Sequence, residues 1–129
     1  MDDDPWDLLL AGLAPATADL VRAADALVRE ADPAVVRVVW PHQRTVGYGV
    51  GPRKNTEHYA YLDVYDRHLN LGFNRGAALA GAGADGGLLE GTGKSFRKLA
   101  VRDAAVLADP RLPALLRAAR AERVAALGR

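Results

Sequence analysis

The chain has 129 residues, half of them hydrophobic, with 17 Lys and Arg against 16 Asp and Glu, and it contains no cysteine. This length suffices for one domain with a hydrophobic core, and the lack of cysteine excludes disulfides, thiolate metal sites and thiol nucleophiles. The apolar runs are too short to span a bilayer, and the acidic start is unlike a secretory signal. We therefore expect a single domain, residues 1–129, of a bacterial-type cytoplasmic protein without a membrane partner.

The net charge of +1 is distributed unevenly along the chain. Residues 1–64 carry a net charge of −4 and residues 65–129 one of +5. This asymmetry indicates either an anionic partner for the second half or mutual neutralisation of the two halves when they pack together. We favour neutralisation, because nucleic-acid binders concentrate basic residues in one stripe among aromatic residues, whereas this chain spreads them over several elements. No nucleic-acid partner is predicted.

The first part of the chain predicts an arm followed by a helix. Residues 1–13, in which three aspartates precede Pro5, are expected to form a loosely held N-terminal arm. Thr17 is a suitable N-cap, and apolar residues then recur at helical spacing as far as Val28. Asp32 should end this helix, because the proline that follows it cannot continue the backbone ladder and restricts the residue before it.

Strand-like segments follow the helix. The β-branched run Val35–Trp40 is either a strand or the tail of a helical hairpin, and the glycine-punctuated segment Thr45–Val50 is a short strand candidate. Residues 58–73 have the alternating period of half-buried strands. A tight turn at Asp66 and Arg67 would divide them, so this segment is predicted to be a hairpin.

The last part of the chain predicts a loop, a strand and a helix. Gly and Ala dominate residues 77–87, a composition typical of loops, and Phe96–Val101 is a candidate last strand. Asp109 and Pro110 should open a final helix. Its inner face would comprise Leu112, Leu115, Leu116, Ala119, Val124 and Leu127, and its solvated face Arg117, Arg120 and Arg123. The element order predicts an α+β two-layer sandwich, with an N-terminal and a C-terminal helix packed on an antiparallel sheet of four to five strands.

The segment Gly-Thr-Gly-Lys-Ser at residues 91–95 invites comparison with a phosphate-binding loop. A Walker loop requires a further glycine five positions before Gly93, and that position is Leu88. The preceding residues are also a poor candidate for the buried parallel strand that such a loop follows. We therefore exclude a nucleoside triphosphatase.

A smaller anion site is a second hypothesis for this segment. Successive amides at Gly91 and Gly93 can form a concave nest for an anion, to which Arg75, Lys94 and Arg97 would add positive charge. The alternative is a tight turn whose basic side chains point to solvent or pair with a carboxylate. We favour the turn.

Histidines are the candidates for imidazole chemistry and metal binding. Zinc sites use close histidine pairs or carboxylates at ligand spacing, whereas His42, His58 and His68 are widely spaced. If His58 and His68 met across the predicted hairpin, they would form a weak metal site with Glu57. A histidine on a strand surface is the commoner arrangement, so the metal site is the minor interpretation.

No catalytic constellation is evident, and enzyme activity is not favoured. Ser95 lacks the sequence frame of a nucleophile elbow. Tyr59, Tyr61 and Tyr65 are expected to share one strand face, where with Tyr48 and Trp40 they would either line an amphipathic groove or pack beneath the helices. Both interpretations are kept open.

Five short runs carry a resemblance to a known family. Two are distinctive: Leu-Gly-Phe-Asn-Arg-Gly at residues 71–76 and Leu-Leu-Glu-Gly-Thr-Gly-Lys at residues 88–94, which Arg97 follows. The others lie at residues 40–43, 48–52 and 57–61. Together they make residues 17–127 resemble the YdhG-like family, a domain of unknown function. The resemblance implies an α+β fold with helices on an antiparallel sheet.

One branch of that family is described as frataxin-like, an intracellular iron chaperone for iron–sulfur cluster assembly. The resemblance therefore implies iron as one ligand, and iron of this kind prefers carboxylate oxygen. The carboxylates available near the first helix are Asp2–Asp4, Asp7, Asp19, Asp25 and Glu30.

The leading hypothesis is a cytoplasmic, non-enzymatic binding domain. It would take a small anionic or amphipathic ligand, or a protein partner, at a groove near the aromatic strands and the cluster of Arg75, Lys94 and Arg97. No cofactor is expected for this function. The alternative is the iron chaperone, with carboxylate ligands helped by His58 or His68.

Overall fold

The computed structural model describes residues 4–129 and confirms the predicted fold class. Five strands form one antiparallel sheet in the order β1-β2-β3-β4-β5, so each strand pairs with the one that precedes it in the chain. The strands are β1 Val36–Trp40, β2 Thr45–Gly49, β3 His58–Val64, β4 Leu69–Phe73 and β5 Arg97–Val101. The run at Val35 is therefore a strand, and the predicted hairpin at residues 58–73 is confirmed.

The helices are α1 Pro5–Ala11, α2 Pro15–Ala31, α3 Lys54–Glu57, α4 Gly76–Gly81 and α5 Arg111–Ala126, with a 3₁₀ helix at Ala104–Ala108. The long helices α2 and α5 contact each other and the sheet. They cover the sheet surface formed by Val46, Leu62, Leu71 and their strand neighbours, which we call the helix face. The opposite surface is called the open face. It includes the register row Trp40, Thr45, Asp63 and Asn70.

The hydrophobic core lies between the helix face and the two long helices. Alternate residues of β3 and β4 point into it, because successive side chains of a strand point to opposite faces. The fully buried side chains of this layer include Val21, Val28, Val46, Leu62, Leu71, Phe73, Leu112, Leu115 and Leu116. The inner face predicted for α5 is thus confirmed at its first three leucines.

The N-terminal segment is a helix where a loosely held arm was predicted. Asp4 caps α1 by accepting a 2.8 Å hydrogen bond from the amide of Trp6, and Pro5 occupies the first helical position. Leu9 is buried in the core, and the Trp6 ring lies 4.3 Å from the Arg37 guanidinium. Tertiary contacts therefore hold a helix of only seven residues in place. The predicted Asp2 and Asp3 part of the arm lies outside the described residues.

The predicted start of α2 is also wrong, whereas its end is confirmed. The helix begins at Pro15 with Ala14 as N-cap. The hydroxyl of Thr17, which was expected to cap the helix, donates a 2.7 Å hydrogen bond to the carbonyl oxygen of Asp66 in the β3–β4 turn. Asp32 follows the last helical residue, as the proline after it predicts.

The Gly- and Ala-rich segment at residues 77–87 is only partly a loop. Residues 76–81 form α4, which Leu79 anchors in the core. The loop begins after it, where Gly83 and Gly87 adopt positive φ and the buried Asp85 accepts hydrogen bonds from two backbone amides. Gly–Ala composition hid this helix because glycine disfavours helices in solution, and tertiary packing outweighs that preference.

One irregularity in β3 decides which tyrosines share a face. Tyr48 lies opposite Ala60, but the next residue of β2, Gly49, lies opposite His58. Tyr59 is thus the extra residue of a β-bulge, and its side chain lies on the helix face, buried beneath the helices. Tyr61 lies on the open face. The prediction that Tyr59 and Tyr61 share a face is therefore wrong.

No helix within residues 4–129 is both long enough and apolar enough to cross a lipid bilayer.

Candidate functional site

The open face of the sheet carries a cleft of about 240 Å³. It extends from β1 across β2 and β3 to the segment before β5. Its lining is formed by Trp40, Thr45, Gly47, Lys54, His58, Tyr61, Asp63, Asn74 and Phe96. Aromatic rings, a carboxylate, an ammonium group and a carboxamide therefore converge on one concave surface.

Glycines on the neighbouring strands make room for two of its rings. A Cβ on Gly47 would lie 2.5 Å from Nδ1 of His58, and one on Gly49 would lie 2.7 Å from Cδ2 of the same ring. A Cβ on Gly72 would overlap the ring of Tyr61. The His58 ring therefore lies over β2 and the Tyr61 ring over β4. Because the rings lie over opposite neighbouring strands, they leave an open space above the centre of the sheet.

Two aromatic pairs flank that space. Trp40 and His58 have ring centroids 5.9 Å apart at 57°, and Tyr61 and Phe96 meet edge-on with centroids 6.0 Å apart. Such tilted and edge-to-face pairs are favourable because ring edges are positive and ring faces negative. The ammonium of Lys54 lies 5.3 Å from the Trp40 centroid, within cation–π range. The exposed Phe96 gives the cleft an apolar rim.

Two buried polar atoms of the cleft side chains have no hydrogen-bond partner within the described part of the chain. They are Nε2 of His58 and Oδ1 of Asn74. Most buried polar atoms in proteins are paired, since an unpaired one retains its desolvation cost. The residues that line the cleft therefore offer unused hydrogen-bonding capacity beside apolar surface.

The protonation states of the cleft favour a neutral hydrogen-bonding surface. Burial lowers the pKa of His58 below its ordinary value of 6.5, with Glu57 opposing and Lys54 reinforcing this shift. Burial and the nearby Asp63 raise the pKa of the Tyr61 hydroxyl. At neutral pH the imidazole is uncharged and the phenol retains its proton, so both can donate or accept a hydrogen bond.

Catalytic geometry is not evident in the cleft. A nucleophile–base pair requires the two side chains to be within hydrogen-bond reach. Within residues 4–129, His58 makes no hydrogen bond to a hydroxyl or carboxylate, and the hydroxyl of Thr45 lies 3.3 Å from two possible acceptors, the carboxylate of Asp63 and the carbonyl oxygen of Gln43. The carboxylate residue Glu90 does not line the cleft, and its backbone is bridged to that of Lys98.

The residues predicted to form an anion site lie apart from the cleft. Arg75 donates a 3.1 Å hydrogen bond to the carbonyl oxygen of Asn55. Arg97 donates to the carbonyl oxygens of Gly93 and Phe96, and thereby closes the turn at residues 91–95 from within. Lys94 is exposed. None of these three basic residues lines the cleft.

Of the other predicted ligand-binding residues, Gly91 and Gly93 belong to this closed turn, with Gly91 at φ 136°, and Tyr59 is buried under the helices. Only Tyr61 lines the cleft. The fold therefore does not bring the basic and aromatic residues together in one groove, as was predicted.

The predicted histidine pair is also separated. His58 begins β3, whereas His68 precedes β4 next to the turn and stacks on Tyr65 at 4.8 Å. At about 3.3 Å per strand residue, the two histidines are roughly 20 Å apart. The expectation that they meet across the hairpin is wrong, because the turn follows Val64, at the other end of β3 from His58.

Glu57, the proposed third ligand, is engaged elsewhere. Its carboxylate accepts hydrogen bonds from the Arg129 guanidinium and, at 2.9 Å, from the Arg53 amide, and these bonds lower its pKa. Residues 4–129 contain no group of three or more His, Asp and Glu side chains placed to hold a metal ion.

The helix face instead carries buried ion pairs that the sequence did not reveal. Asp25 accepts hydrogen bonds from Arg37 at 2.9 Å and from the Tyr48 hydroxyl at 2.8 Å. Asp32 accepts bonds from the Tyr59 hydroxyl at 2.7 Å and from Arg120 at 2.8 Å. Burial and the adjacent carboxylates raise the pKa of both tyrosines. These polar groups satisfy one another within the protein.

Two arginines predicted to be solvated take part in such contacts. Arg120 pairs with the buried Asp32, and the buried Arg123 donates to the Thr56 carbonyl oxygen at 2.8 Å and to Glu122. The prediction failed because it used the position around the helix alone, whereas long arginine side chains reach polar groups at the edge of the core.

Several cleft residues were missed from the sequence, among them Asn74, Phe96 and Asp63. One local signal was available: Gly47 and Gly49 alternate along a strand, so their missing side chains fall on the same face. Such a pattern marks a place where another group approaches the backbone closely. The pattern does not identify that group, because only the register of β2 with β3 places the ring of His58 over these glycines.

Comparison of the chain with protein-family models, curated proteins and solved structures finds no match in any of the three.

Proposed function

We propose that this protein is a cytoplasmic binding domain whose site is the cleft on the open face, and that its ligand is a small, planar, amphipathic molecule. The observation that carries the proposal is that two side chains lining the cleft, His58 and Asn74, each hold a buried polar atom, Nε2 and Oδ1, that has no hydrogen-bond partner within residues 4–129. Removing a polar atom from water without a new hydrogen bond costs free energy. A ligand that bonded to these atoms would offset that cost.

The charges of the cleft favour this ligand over a strongly anionic one. Lys54 and Asp63 contribute opposite charges to the lining, and the imidazole of His58 is neutral at pH 7. The cluster of Arg75, Lys94 and Arg97 does not line the cleft. Arg97 donates a hydrogen bond to the carbonyl oxygen of Gly93 in the neighbouring turn. Flat aromatic ligands suit walls built from Trp40 and Phe96, since offset and edge-on ring contacts add to the burial of apolar area.

The test is a nuclear magnetic resonance titration of the intact chain with neutral planar probes such as indole, phenol, nicotinamide and adenine. Binding should shift the side-chain amide of Asn74 and the ring protons of Trp40 and His58 together. Trp40→Ala should weaken binding at least about tenfold, equivalent to about 1.4 kcal/mol, because it removes one wall.

Tyr65→Ala is the matched control, since it removes an exposed aromatic ring that does not line the cleft. It should leave the affinity unchanged. If no probe shifts these resonances, or if the two variants have equal effects, the cleft is not the binding site.

The iron-chaperone alternative derives from the resemblance to the YdhG-like family, which stays a prediction. Among the acids of α2, Asp19 pairs with Arg22, and Asp25 is buried against Arg37 and Tyr48. Calorimetric titration with ferrous iron tests this alternative directly. Heat that disappears when the acids before Pro5 are neutralised would favour it over the cleft proposal.

A further inference from the structure

The two edges of the sheet are protected differently. At the β5 edge, Glu90 exchanges two backbone hydrogen bonds with Lys98, at 2.8 and 2.9 Å, and so covers part of that strand. At the β1 edge, the backbone groups of residues 36–40 make no hydrogen bond outside the ladder with β2 within the described part of the chain. Exposed edge strands of this kind are templates for pairing with another strand.

Within residues 4–129, the β1 edge also lacks the solvent-directed charged side chains, proline or bulge that usually prevent pairing. Edge strands are commonly blunted by charged side chains, proline or a bulge, whereas β1 pairs with β2 in a regular register over all five residues. Its one charged residue, Arg37, donates to the buried Asp25 and lies against Trp6. The positive charge of β1 is therefore directed into the protein. The remaining side chains, Val36, Val38, Val39 and Trp40, are β-branched or aromatic and strongly favour strands.

We propose that β1 pairs antiparallel with β1 of a second copy of this chain, centred on Val38, to form a ten-stranded sheet across a two-fold axis. The strand is self-complementary in this register. Val38 would face Val38 of the second copy, Val36 would face Trp40, and Arg37 would face Val39. Aromatic–β-branched neighbours are favourable cross-strand pairs, and a two-fold interface uses one patch against itself.

Neighbouring registers are less favourable, which singles out this one. Centring the pair on Arg37 would place two arginines directly opposite each other, and like charges in that position destabilise a sheet. Centring it on Val39 would leave Val36 and Arg37 beyond the five-residue strand of the partner. The proposed register pairs all five residues. It also places Val36 of the second copy beside Trp40, so the dimer would extend the wall of the cleft.

Exposed apolar surface next to β1 also supports pairing with a second copy of the chain. The helix α1 packs against β1, and its Leu8 is 42 % exposed. A second copy paired along β1 would therefore approach the helix that carries this exposed side chain. An interface of one strand and one helix is small, so the expected dimer is of the weak, concentration-dependent class.

Sedimentation velocity on the intact chain tests the proposal. The average mass should rise from 13.7 kDa for one chain toward twice that value as the concentration approaches a dissociation constant of about 1 mM. Val38→Lys and Val38→Glu should each be monomeric, since each places like charges opposite one another. An equimolar mixture of the two should dimerise again, because Val38 faces itself only in the proposed register.

Lys98→Glu is the matched control, because it alters charge on the opposite edge strand and should leave the dimer intact. Hydrogen exchange of the wild type gives a measurement that needs no variant: amides within residues 36–40 should exchange at least about threefold more slowly at high concentration. A wild type that stays monomeric near 1 mM, a mixture that stays monomeric, or a dimer lost in Lys98→Glu would each overturn the proposal.

Discussion

The two faces of the sheet treat their buried polar groups differently. On the helix face, the carboxylates of Asp25 and Asp32 are each bonded to an arginine and to a tyrosine hydroxyl. On the open face, Nε2 of His58 and Oδ1 of Asn74 are buried and have no hydrogen-bond partner within residues 4–129. A face whose groups satisfy one another contributes to stability. A face with unsatisfied groups has bonding capacity for a ligand.

The largest effect is expected on the helix face, from Asp32→Ala. This change leaves the Arg120 guanidinium and the Tyr59 hydroxyl without their acceptor, so the free energy of unfolding should fall by about 3–5 kcal/mol. Chemical denaturation measures the change. Asp19→Ala is the control, because its ion pair with Arg22 is well exposed and should contribute no more than about 1 kcal/mol. Equal losses in the two variants would contradict the distinction between satisfied and solvated carboxylates.

The next effect tests how glycines shape the open face. In Gly72→Ala the new Cβ would overlap the Tyr61 ring, so the free energy of unfolding should fall by about 1–3 kcal/mol. The displaced ring should also narrow the cleft and weaken binding of the planar probes. Because the clash is with one side chain, adding Gly72→Ala to a Tyr61→Ala background should cost much less. Strict additivity in this double-mutant cycle would show that the ring does not lie over Gly72.

A smaller effect concerns the pH dependence of stability. Burial lowers the pKa of His58 in the folded state, so below about pH 6.5 the unfolded chain binds more protons at this residue than the folded chain does. The free energy of unfolding should therefore decrease as the pH falls through this range, and His58→Phe should remove that part of the decrease. His68→Phe is the control and should leave it in place. If His58→Phe has the same pH dependence as the wild type, the imidazole is not buried as described.

The smallest effect is expected at the closed turn. Because Arg97 donates to the carbonyl oxygens of Gly93 and Phe96, inorganic phosphate at millimolar concentration should not shift the amide resonances of residues 91–95. Shifts that saturate with phosphate would instead support the anion site. They would also move the candidate binding surface away from the open face.

The sequence predicted the sheet better than the site. The period of residues 58–73 and the proline after Asp32 are local signals, and they gave the hairpin and the end of α2 correctly. The predicted site combined Tyr59 with Tyr61 and with the basic cluster. It failed at Tyr59, because one extra residue in β3 turns this side chain to the other face. Nothing in the local sequence distinguishes a strand with that bulge from one without it.

The sequence by itself determined the fold class, the apolar face of α2, the first three leucines of the apolar face of α5 and the alternation of the strands outside the bulge, since these depend on spacing along the chain. Only the tertiary structure decided that Pro5–Ala11 and Gly76–Gly81 are helical, because packing of Leu9 and Leu79 outweighs weak local preferences. It also decided that Arg37 pairs with Asp25 and that His58 lies over Gly47. Such contacts join segments that are distant along the chain. They depend on the strand register and on how far each side chain extends, and neither is visible in the local sequence.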